Sequence, residues 1–369
     1  MIVIADDITG AAEIAGIAFS KGQEVRLVCG GEESSCGTAI NGTTVIATDT
    51  RSMSEAEAVA ETRHIIRPLS LEGDGGRLLF KKTDSALRGH VVAELTTLME
   101  ATGYQRAVYL PANPTKRRVI KNGIYYIDNV PIHETAFSYD PEFPAKTSVL
   151  KERFPDAEAS GIIMPDAESM DDIRNIIAQY NDGHTLFAGA ADLFSALLTN
   201  QGNKPHDSTS TSRASNLSDT LILCGSTQSK ALDLGIPIAP MPREIYDGND
   251  DISLWNTSAY EELYSLILTM PFSHRTGKEA AVHLRTMMAR KAKELIAEHC
   301  PSHLIIEGGA TAWATLQALG WTQFKIERQI APGVVQMSVT IARHTSTYES
   351  KKRVMVTLKP GSYPWGIML

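Results

Sequence analysis

Short apolar segments alternate with segments whose apolar residues recur at helical spacing through the first half of the chain. In order, these segments predict a strand at 1–5, a helix at 10–22, strands at 24–30 and 43–52, a helix at 54–69, and a strand through Lys81. Ser54 stands where the N-cap of the 54–69 helix should be. The alternation predicts β-α-β units, which are typical of parallel sheets.

The same alternation continues to about residue 200. A helix is expected beyond Gly89, and segment 106–114 predicts a strand followed by a turn. Segment 122–132 predicts a hairpin around Asp128-Asn129, whereas the rest of 115–150 is irregular. Two further segments, 160–169 and 184–193, each predict a strand that leads into a helix.

A polar stretch separates two halves of the chain that show the same alternation of predicted strands and helices. Residues 200–218 are rich in Ser and Thr and nearly free of large apolar side chains, which is typical of a linker. Segments 219–235 and 303–320 again predict a strand, a polar turn and a helix, and 277–300 predicts a long amphipathic helix. We therefore expect two α/β domains, each with a mainly parallel sheet flanked by helices. Their bounds are 1–200 and 219–369, joined by a linker at 201–218.

Composition and charge exclude several classes of protein. A chain of 369 residues is long enough for roughly two domains. The formal charge of −8 argues against a dedicated nucleic-acid binder. No apolar run reaches the roughly 18–20 residues that would span a membrane, and no leader segment is evident. We interpret the protein as cytoplasmic, with neither nucleic acid nor membrane as a partner; whether it forms a homo-oligomer stays open.

The positions with candidate chemistry lie where predicted strands end. Ligands of parallel α/β sheets collect at the carboxyl ends of the strands. Five polar turns occupy such positions: 6–10, 48–52, 82–89, 225–229 and 307–311.

Two acids in succession, Asp6 and Asp7, follow the first predicted strand. A carboxylate there could act as a base for a hydroxyl, accept hydrogen bonds from sugar hydroxyls, or bind a metal. Helix capping by Asp7 or Thr9 explains one acid, with Gly10 easing the turn. Because capping leaves the second acid unexplained, the pair favours a functional role.

Charged side chains follow two other predicted strands. Segment 81–89 (KKTDSALRG) holds two lysines, an acid and Arg88, and segment 48–52 adds Asp49 and Arg51. The planar guanidinium suits a carboxylate, but a solvated loop with local ion pairs explains 81–89 equally well. If the three turns converge on one face, they form a small polar pocket suited to a polyhydroxy acid.

Two turns of the second half suit a phosphate group. Segment 305–312 leads a strand into Gly308-Gly309, and segment 224–230 offers hydroxyls such as that of Ser226. Glycines let the backbone approach a phosphate, and a helix N-terminus supplies free N–H groups. Two such turns in one domain indicate a nucleotide, although a glycine pair is also typical of an ordinary tight turn.

The common nucleotide motifs are absent from the sequence. Segment 275–281 contains Gly-Lys, but Phe272 and Glu279 stand where a P-loop needs Gly and Ser or Thr. Neither the protein-kinase HRD and DFG motifs nor a GxSxG motif is present. Phosphoryl transfer by this chain would need another architecture.

Taken together, these motifs resemble the four-carbon acid sugar kinase family. The matching segments occur in the family's order: 4–11 (IADDITGA), 81–89 (KKTDSALRG), 110–141, 223–229 (LCGSTQS), 307–312 (EGGATA) and 358–366 (LKPGSYPWG). Each segment alone is weak, but the combined set is specific and extends over nearly the whole chain.

The resemblance implies an ATP-dependent enzyme of two α/β domains. The N-terminal domain would hold the sugar acid, the C-terminal domain would hold ATP, and the acid's terminal hydroxyl would be phosphorylated in the cleft between them. Carried over, the substrate residues are Asp6, Asp7, Arg51, Lys82, Asp84 and Arg88. The nucleotide residues are Ser226, Gly308, Gly309, Ala310, Thr311 and Gly361.

The leading hypothesis is an ATP- and Mg-dependent kinase of a four-carbon acid such as threonate, erythronate or 3-oxo-tetronate. One carboxylate would accept the hydroxyl proton, either Asp84 or Asp7, and Lys82 and Arg88 would anchor the substrate carboxylate. The sequence assigns no metal ligands, and the stereochemistry of the acid is not encoded in any motif.

Departures from the family pattern keep two alternatives open. Gln228 and Ala231 replace a serine and a threonine of the family's phosphate turn, Ala310 replaces the glutamate of its GGET loop, and GSYPWG replaces its GNFG tail. A non-catalytic sugar-acid binder with a degenerate nucleotide site is the first alternative. An aldolase or dehydrogenase acting on acidic sugars is the second, although no convincing Schiff-base lysine, metal cluster or GxGxxG turn is found.

Overall fold

A computed structural model describes residues 1–30, 42–69, 78–140, 142–199, 217–225, 234–258, 265–271, 277–344, 349–361 and 365. The chain divides into two compact units, residues 1–206 and 207–369. The predicted linker, 201–218, lies outside the described residues except for its last two positions.

The first unit alternates strands and helices along most of its length. Its strands are β1 (Ile2–Ala5), β2 (Glu24–Cys29), β3 (Gly42–Ala47), β4 (Leu79–Lys82), β5 (Arg106–Leu110), β6 (Arg118–Lys121), β7 (Ile124–Ile127), β8 (Val130–Pro131), β9 (Ile162–Ile163) and β10 (Thr185–Gly189). Its α-helices are α1 (Ile8–Ser20), α2 (Glu55–Ile66), α3 (Val91–Thr102), α4 (Leu150–Arg153), α5 (Met170–Tyr180) and α6 (Ala191–Thr199).

The main sheet of the first unit is entirely parallel. Its strand order is β2-β3-β1-β4-β10-β5-β9. In the central register, Ala5 of β1 pairs with Ala47 of β3 on one side and with Lys82 of β4 on the other. The carboxyl ends of β3, β1 and β4 are therefore neighbours at one edge of the sheet, as a parallel α/β fold requires.

Local sequence signals account for the helices that flank this sheet. Ser54 caps α2 and forms a capping box with Glu57, as the N-cap prediction requires. Ser169 and Asp172 form another capping box at the start of α5. Helix α3 ends at Gly103, whose φ of 78° is left-handed and favours glycine. Helix α1 packs against α6, α6 against α5, and α2 against α3.

A small antiparallel sheet, β6-β7-β8, occupies part of the segment that the sequence leaves irregular. Its β7-β8 turn is formed by Asp128 and Asn129, with φ values of 51° and 64°. Both residues tolerate left-handed backbone, which a tight hairpin turn requires. The predicted hairpin is therefore confirmed at these two residues.

The second unit is also an α/β structure, with a mixed sheet. Its strands are β11 (Thr220–Cys224), β12 (Ile238–Pro240), β13 (Leu266–Thr269), β14 (His303–Glu307), β15 (Gln323–Ala331), β16 (Val334–His344) and β17 (Glu349–Lys359). Its α-helices are α7 (Arg243–Tyr246), α8 (Lys278–His299) and α9 (Gly309–Leu319). The strand order is β12-β13-β11-β14-β17-β16-β15.

Pairing in the second unit is parallel from β12 to β17 and antiparallel from β17 to β15. The long helix expected at 277–300 is α8, and the helix expected near Thr311 begins at Gly309. The helix expected within 219–235 falls largely on residues outside those described. Among the described residues, no helix combines the length and the apolar character needed to cross a membrane.

Candidate functional site

Three polar turns meet at the edge of the first unit's sheet. Asp6 and Asp7 follow β1, a short helical turn at Thr50–Ser52 follows β3, and Asp84 lies two residues beyond β4. Since β1 lies between β3 and β4, the side chains of all three turns are within reach of one another. This is the convergence that a sugar-acid pocket would need.

Arg51 connects the three turns directly. Its Nη2 donates to Asp7 Oδ2 at 2.6 Å, and its Nη1 lies 3.5 Å from Asp84 Oδ1. Its backbone N–H also donates to the carbonyl of Asp6 at 3.2 Å. A charged hydrogen bond of this kind fixes orientation as well as charge. Arg51 therefore holds the two sequence-predicted catalytic acids in one arrangement.

Asp84 is held from a second side by Arg88. Arg88 Nε donates to Asp84 Oδ2 at 2.8 Å, and Nη2 donates to Oδ1 at 3.1 Å, which is a bidentate pair. The third nitrogen, Nη1, donates to Asp140 Oδ2 at 3.3 Å. Burial alone would raise the pKa of Asp84, but Arg88 and Arg51 outweigh it and hold this pKa well below its usual value.

Asp7 both caps α1 and belongs to a charged cluster at this edge of the sheet. The cluster is built around Asp6, Asp7, Arg51, Lys82, Asp84 and Arg88. Its Oδ1 accepts from Gly10 N at 2.9 Å, while its Oδ2 accepts from Arg51. Burial opposes ionisation, but Arg51 and Lys82 lower the pKa of Asp7 below its usual value. A methyl group at Gly10 would lie 2.8 Å from Asp7 Oδ1 and 3.1 Å from Lys82 Nζ, so the site needs a glycine there.

Lys82 lies beneath the same cluster with its side chain buried. Its Nζ donates to the carbonyl of Thr83 at 2.8 Å and lies 3.7 Å from Glu13 Oε2. Glu13 also pairs with Lys116 and, despite burial, has a lowered pKa because of these two lysines. Lys82 thus adds positive charge under Asp7, although one carboxylate already lies close to it.

Asp6 differs from the other acids of the cluster. It is 2% exposed, and its Oδ1 has no hydrogen-bond partner among the described residues. Burial raises its pKa to about 7, with Arg51 and the lysines opposing and Asp7 reinforcing this shift. Asp6 is therefore a buried carboxyl group that titrates near neutral pH.

Lys81 does not join Lys82 at the site, although both belong to the predicted charged turn. It is fully buried and pairs with Glu94 of α3. Glu94 Oε2 also accepts from Thr50 Oγ1 at 2.9 Å. Successive residues of a strand point to opposite faces, which explains why neighbouring lysines separate. The Lys81–Glu94 pair supports the turn that carries Arg51.

Several residues of the cluster are missing from the sequence-derived set. Glu13 and Asp140 each pair with a cation of the cluster. Arg118 donates to the hydroxyl of Ser85, and its guanidinium lies 5.7 Å from the Phe137 ring centre. The 110–141 match covers Arg118 and Asp140, but nothing local indicates which of its polar residues turn toward the site.

The opposite pKa shifts of Asp6 and Asp7 predict opposite effects of pH on stability. Between about pH 4 and pH 7 the native state keeps a proton on Asp6 that the unfolded chain has released, so Asp6 lowers stability as pH rises through this window. The Asp6→Asn variant lacks this penalty. The free energy of unfolding of the variant minus that of wild type should therefore increase by more than about 1.4 kcal/mol from about pH 5 to about pH 8.

The Asp7→Asn variant is the matched control. The lowered pKa of Asp7 gives stability that is present above its unfolded pKa and lost as pH falls through its folded pKa. Asp7→Asn should therefore be less stable than wild type at neutral pH, with the difference shrinking in acid. Urea unfolding at several pH values measures both, and parallel curves for the two variants would contradict the assignment.

The second unit brings three strand ends together around a glycine turn. Gly225 follows β11, Gly308 follows β14, and the two are linked through Glu307 and Lys359 at the ends of β14 and β17. Gly225 N donates to the carbonyl of Glu307 at 3.2 Å, and Gly308 N donates to that of Lys359 at 2.9 Å. A methyl group at Gly225 would lie 1.9 Å from Thr311 Oγ1, so only glycine fits.

The turn at 308–311 has the features that a phosphate site requires. Gly308 is the N-cap of α9 with φ of 95° and offers no capping side chain, so the first N–H groups of the helix have no such partner. Gly309 and Ala310 form the first turn, Ala310 is exposed, and Thr311 is buried. Such a terminus suits an anion. Gly361 follows β17, whereas Ser226 lies outside the described residues.

The carboxylate that directly precedes this turn already has a partner. Glu307 pairs with Lys359, and both are buried. Lys359 Nζ also lies 4.7 Å from the Trp365 ring centre. Among the described residues, no group of three or more His, Cys, Asp or Glu side chains is arranged to hold a metal ion. The described part of this turn therefore suits a phosphate group.

Comparison with known proteins identifies a domain family in each part of the chain. Residues 1–156 match a sugar-binding N-terminal domain family, and residues 247–363 match a nucleotide-binding C-terminal domain family. A crystal structure of a Haemophilus influenzae protein superposes over 100% of both chains with a TM-score of 0.69 and 19% identity, which supports the fold.

Curated relatives carry kinase names. A D-threonate kinase of Bordetella bronchiseptica is 33% identical over 150 residues, 40% of this chain and 36% of that protein. The match thus spans about a third of the length of that relative. A 3-oxo-tetronate kinase of Brucella melitensis is 25% identical over an alignment that covers 90% of this chain and 88% of that protein. With both domain families matched in order, the chain belongs to the four-carbon acid sugar kinase family.

Proposed function

We propose that the protein is an ATP-dependent kinase that phosphorylates the terminal hydroxyl of a four-carbon sugar acid, with threonate, erythronate and 3-oxo-tetronate as the candidate substrates. The observation that carries the proposal is the cluster in which Arg51 joins Asp7 to Asp84 at the carboxyl edge of the sheet. A polyhydroxy acid needs both carboxylates that accept from hydroxyls and cations that bind its carboxylate. The cluster supplies both the carboxylates and the cations at the edge of the sheet where the three turns meet.

The cationic side chains of the cluster would bind the carboxylate of the sugar acid. Arg88 is 29% exposed at its side chain and is fixed by Asp84 and Asp140, so its position is set before substrate arrives. Together with the buried Lys82 it would anchor the substrate carboxylate. Pre-set donors of this kind lower the entropic cost of orienting a substrate. Asp7, Asp84 and Asp6 would then face the hydroxyls.

The nucleotide half of the proposal is supported by the glycine turn of the second unit. The N–H groups at 309–311 would bind ATP phosphates, and Gly225 and Gly308 allow close backbone approach. Magnesium bound with ATP would neutralise charge on the phosphates during transfer. Ser226 and Gly361 remain proposed nucleotide contacts, and an active site in an interdomain cleft remains a prediction from the family resemblance.

An ATP-consumption screen over four-carbon acids tests the proposal. The expected result is ADP release with at least one of D-threonate, L-threonate, D-erythronate, L-erythronate or their 3-oxo forms, and none with the five-carbon acid xylonate. Each substrate is measured at several concentrations, so that affinity and turnover separate. No ADP release with any four-carbon acid would contradict the proposed activity.

Thermal unfolding separates the kinase from a non-catalytic sugar-acid binder. A ligand present at about 100 times its dissociation constant stabilises the native state by roughly 2.7 kcal/mol. Mg-ATP alone should therefore raise the melting temperature of the wild-type protein, as should the sugar acid alone. A shift with the sugar acid but none with Mg-ATP, alone or combined, would favour the binder.

A further inference from the structure

We propose that Asp6, rather than Asp7 or Asp84, accepts the proton of the substrate hydroxyl as that hydroxyl is phosphorylated. The proposal rests on the proposed kinase function and assigns one step of it to one residue. It departs from the sequence-based choice between Asp7 and Asp84.

The first argument is that the two other acids already have strong donors. Asp84 accepts two hydrogen bonds from the Arg88 guanidinium and two from the N–H groups of Ala86 and Arg88. Asp7 accepts from Arg51 at 2.6 Å and from Gly10 at 2.9 Å. Donors that favour the charged form of a carboxylate weaken it as a base. Asp7 and Asp84 are therefore suited to orient, not to take up a proton.

The second argument is the unsatisfied oxygen of Asp6. Asp6 is 2% exposed, and among the described residues its Oδ1 has no donor within hydrogen-bond distance. Buried polar atoms are nearly always hydrogen-bonded, and a carboxylate oxygen is costly to leave without a donor. A substrate hydroxyl donating to Oδ1 would satisfy this oxygen. Asp6 Oδ1 is thus a carboxylate oxygen for which a ligand hydroxyl would supply the missing donor.

The third argument is the way in which Asp6 is fixed. Its N–H donates to the carbonyl of Lys82 at 3.4 Å, and its carbonyl accepts from Arg51 N at 3.2 Å, so the backbone is tied to both neighbouring turns. Gly89, with φ of 96°, approaches from the other end of the 82–89 turn, where a methyl group would lie 3.4 Å from Asp6 Oδ2. Asp6 is therefore held among the residues that would position the substrate.

The charges that face Asp6 also suit a base. Arg51, Lys81 and Lys82 favour its ionised form, whereas burial and Asp7 disfavour it. Lys81 and Lys82 direct their closest contacts to Glu94 and to Thr83 and Glu13, so they act on Asp6 only at longer range. The resulting pKa of about 7 is near the value at which a general base works best in neutral solution.

In the proposed step the hydroxyl O–H bond breaks and its proton moves to Asp6 Oδ1. The electron pair of that bond stays on the oxygen, which forms a bond to the γ-phosphorus of ATP. The bond from that phosphorus to the β,γ-bridging oxygen breaks, and ADP leaves with that electron pair. The proton later returns to solvent, so no oxidant or further reactant is needed.

The test compares Asp6→Asn with wild type, using the four-carbon acid that gives the highest turnover in the screen. Asp6→Asn should lower kcat by about 100-fold or more, while the KM values stay within about threefold. In wild type, kcat/KM should rise with pH through an apparent pKa near 7, and this limb should be absent from the residual activity of Asp6→Asn. Asp182→Asn, which breaks a surface pair with Arg106, is the matched control and should retain wild-type kinetics.

Each outcome decides the proposal. If Asp6→Asn keeps wild-type kcat or keeps the same pH limb, Asp6 is not the base, although the kinase function stands. If the variant does not fold, the wild-type profile decides alone, since a kcat/KM that is flat from about pH 5 to pH 8 overturns the assignment. If wild type turns over no four-carbon acid, both the function and this assignment fail.

Discussion

Replacing Asp84 by asparagine should lower kcat/KM for the sugar acid by about 10²- to 10³-fold. Asp84 is the acid that both arginines share, since Arg88 binds it through two nitrogens and Arg51 lies 3.5 Å away. An asparagine keeps the shape but offers a single acceptor oxygen and no charge. The two guanidiniums would repel each other and leave their positions, and small displacements in a site cost large factors in rate.

The loss should appear without unfolding, because Arg51 and Arg88 are 22% and 29% exposed and can be hydrated when Asp84 loses its charge. The measurement is steady-state ATP consumption, with the melting temperature of the variant as a check. Asp182→Asn, at an arginine pair remote from the turns in sequence, is expected to behave as wild type. Wild-type turnover by Asp84→Asn would refute the role of Asp84 in holding the arginines.

The fold of the first unit follows closely from local sequence signals. Apolar runs separated by helical periodicity predict the parallel strands, and Ser54 marks the start of α2 correctly. Such signals succeed because each is satisfied within a few residues of its own position. The mixed sheet of the second unit is different. Strands β15 and β16 flank a two-residue turn, Pro332-Gly333, which is a local hairpin signal. The parallel pairing of β17 with β14, in contrast, joins strands that are distant in the chain and that no local pattern brings together.

The candidate site could be predicted only in part, for a related reason. The strand-end rule brings Asp6, Arg51 and Asp84 to one edge, and the structure places them there. The rule does not say which way neighbouring side chains point, so Lys81 and Lys82 look equivalent in sequence. Nor does it reveal acids that arrive from distant segments, such as Asp140, which pairs with Arg88 across 52 positions of the chain.

The two adjacent acids after β1 illustrate what the side-chain contacts add. From the sequence, capping accounts for one acid and leaves the other without a role. In the structure Asp7 does two things at once, because one oxygen caps α1 and the other accepts from Arg51. Asp6 is the acid without a local explanation, since burial leaves one of its oxygens without a donor. The surplus acid is thus the one for which a ligand hydroxyl is the missing partner.

The two neighbouring lysines also differ in role, since Lys81 contributes mainly to stability and Lys82 lies at the candidate site. Lys82 lies under Asp7, whereas Lys81 and Glu94 form a buried pair on the opposite side of β4. This pair is hydrogen-bonded toward the site through Thr50, whose hydroxyl donates to Glu94 at 2.9 Å and whose neighbour is Arg51. Lys81 also acts on Asp6 electrostatically at longer range. Because the pair is buried, changes to it should act mainly on folding.

Replacing Glu94 by alanine should reduce the free energy of unfolding of the first unit by about 3–5 kcal/mol. The side chains of Lys81 and Glu94 are 0% and 2% exposed, so the variant leaves an ammonium group in the interior without its carboxylate. The loss of the Thr50 hydrogen bond adds to the effect. Urea unfolding followed by far-ultraviolet circular dichroism measures the change, beside the melting temperature.

The same helix supplies the matched control. Glu100 lies on α3 like Glu94 and pairs with Arg63 at 3.5 Å, but these side chains are 62% and 63% exposed. Glu100→Ala should therefore change stability by less than about 1 kcal/mol. Replacing the buried pair by two apolar residues, Lys81→Met with Glu94→Leu, should restore most of the loss because no charge is left unpaired. Equal effects of Glu94→Ala and Glu100→Ala would show that burial does not set the strength of these pairs.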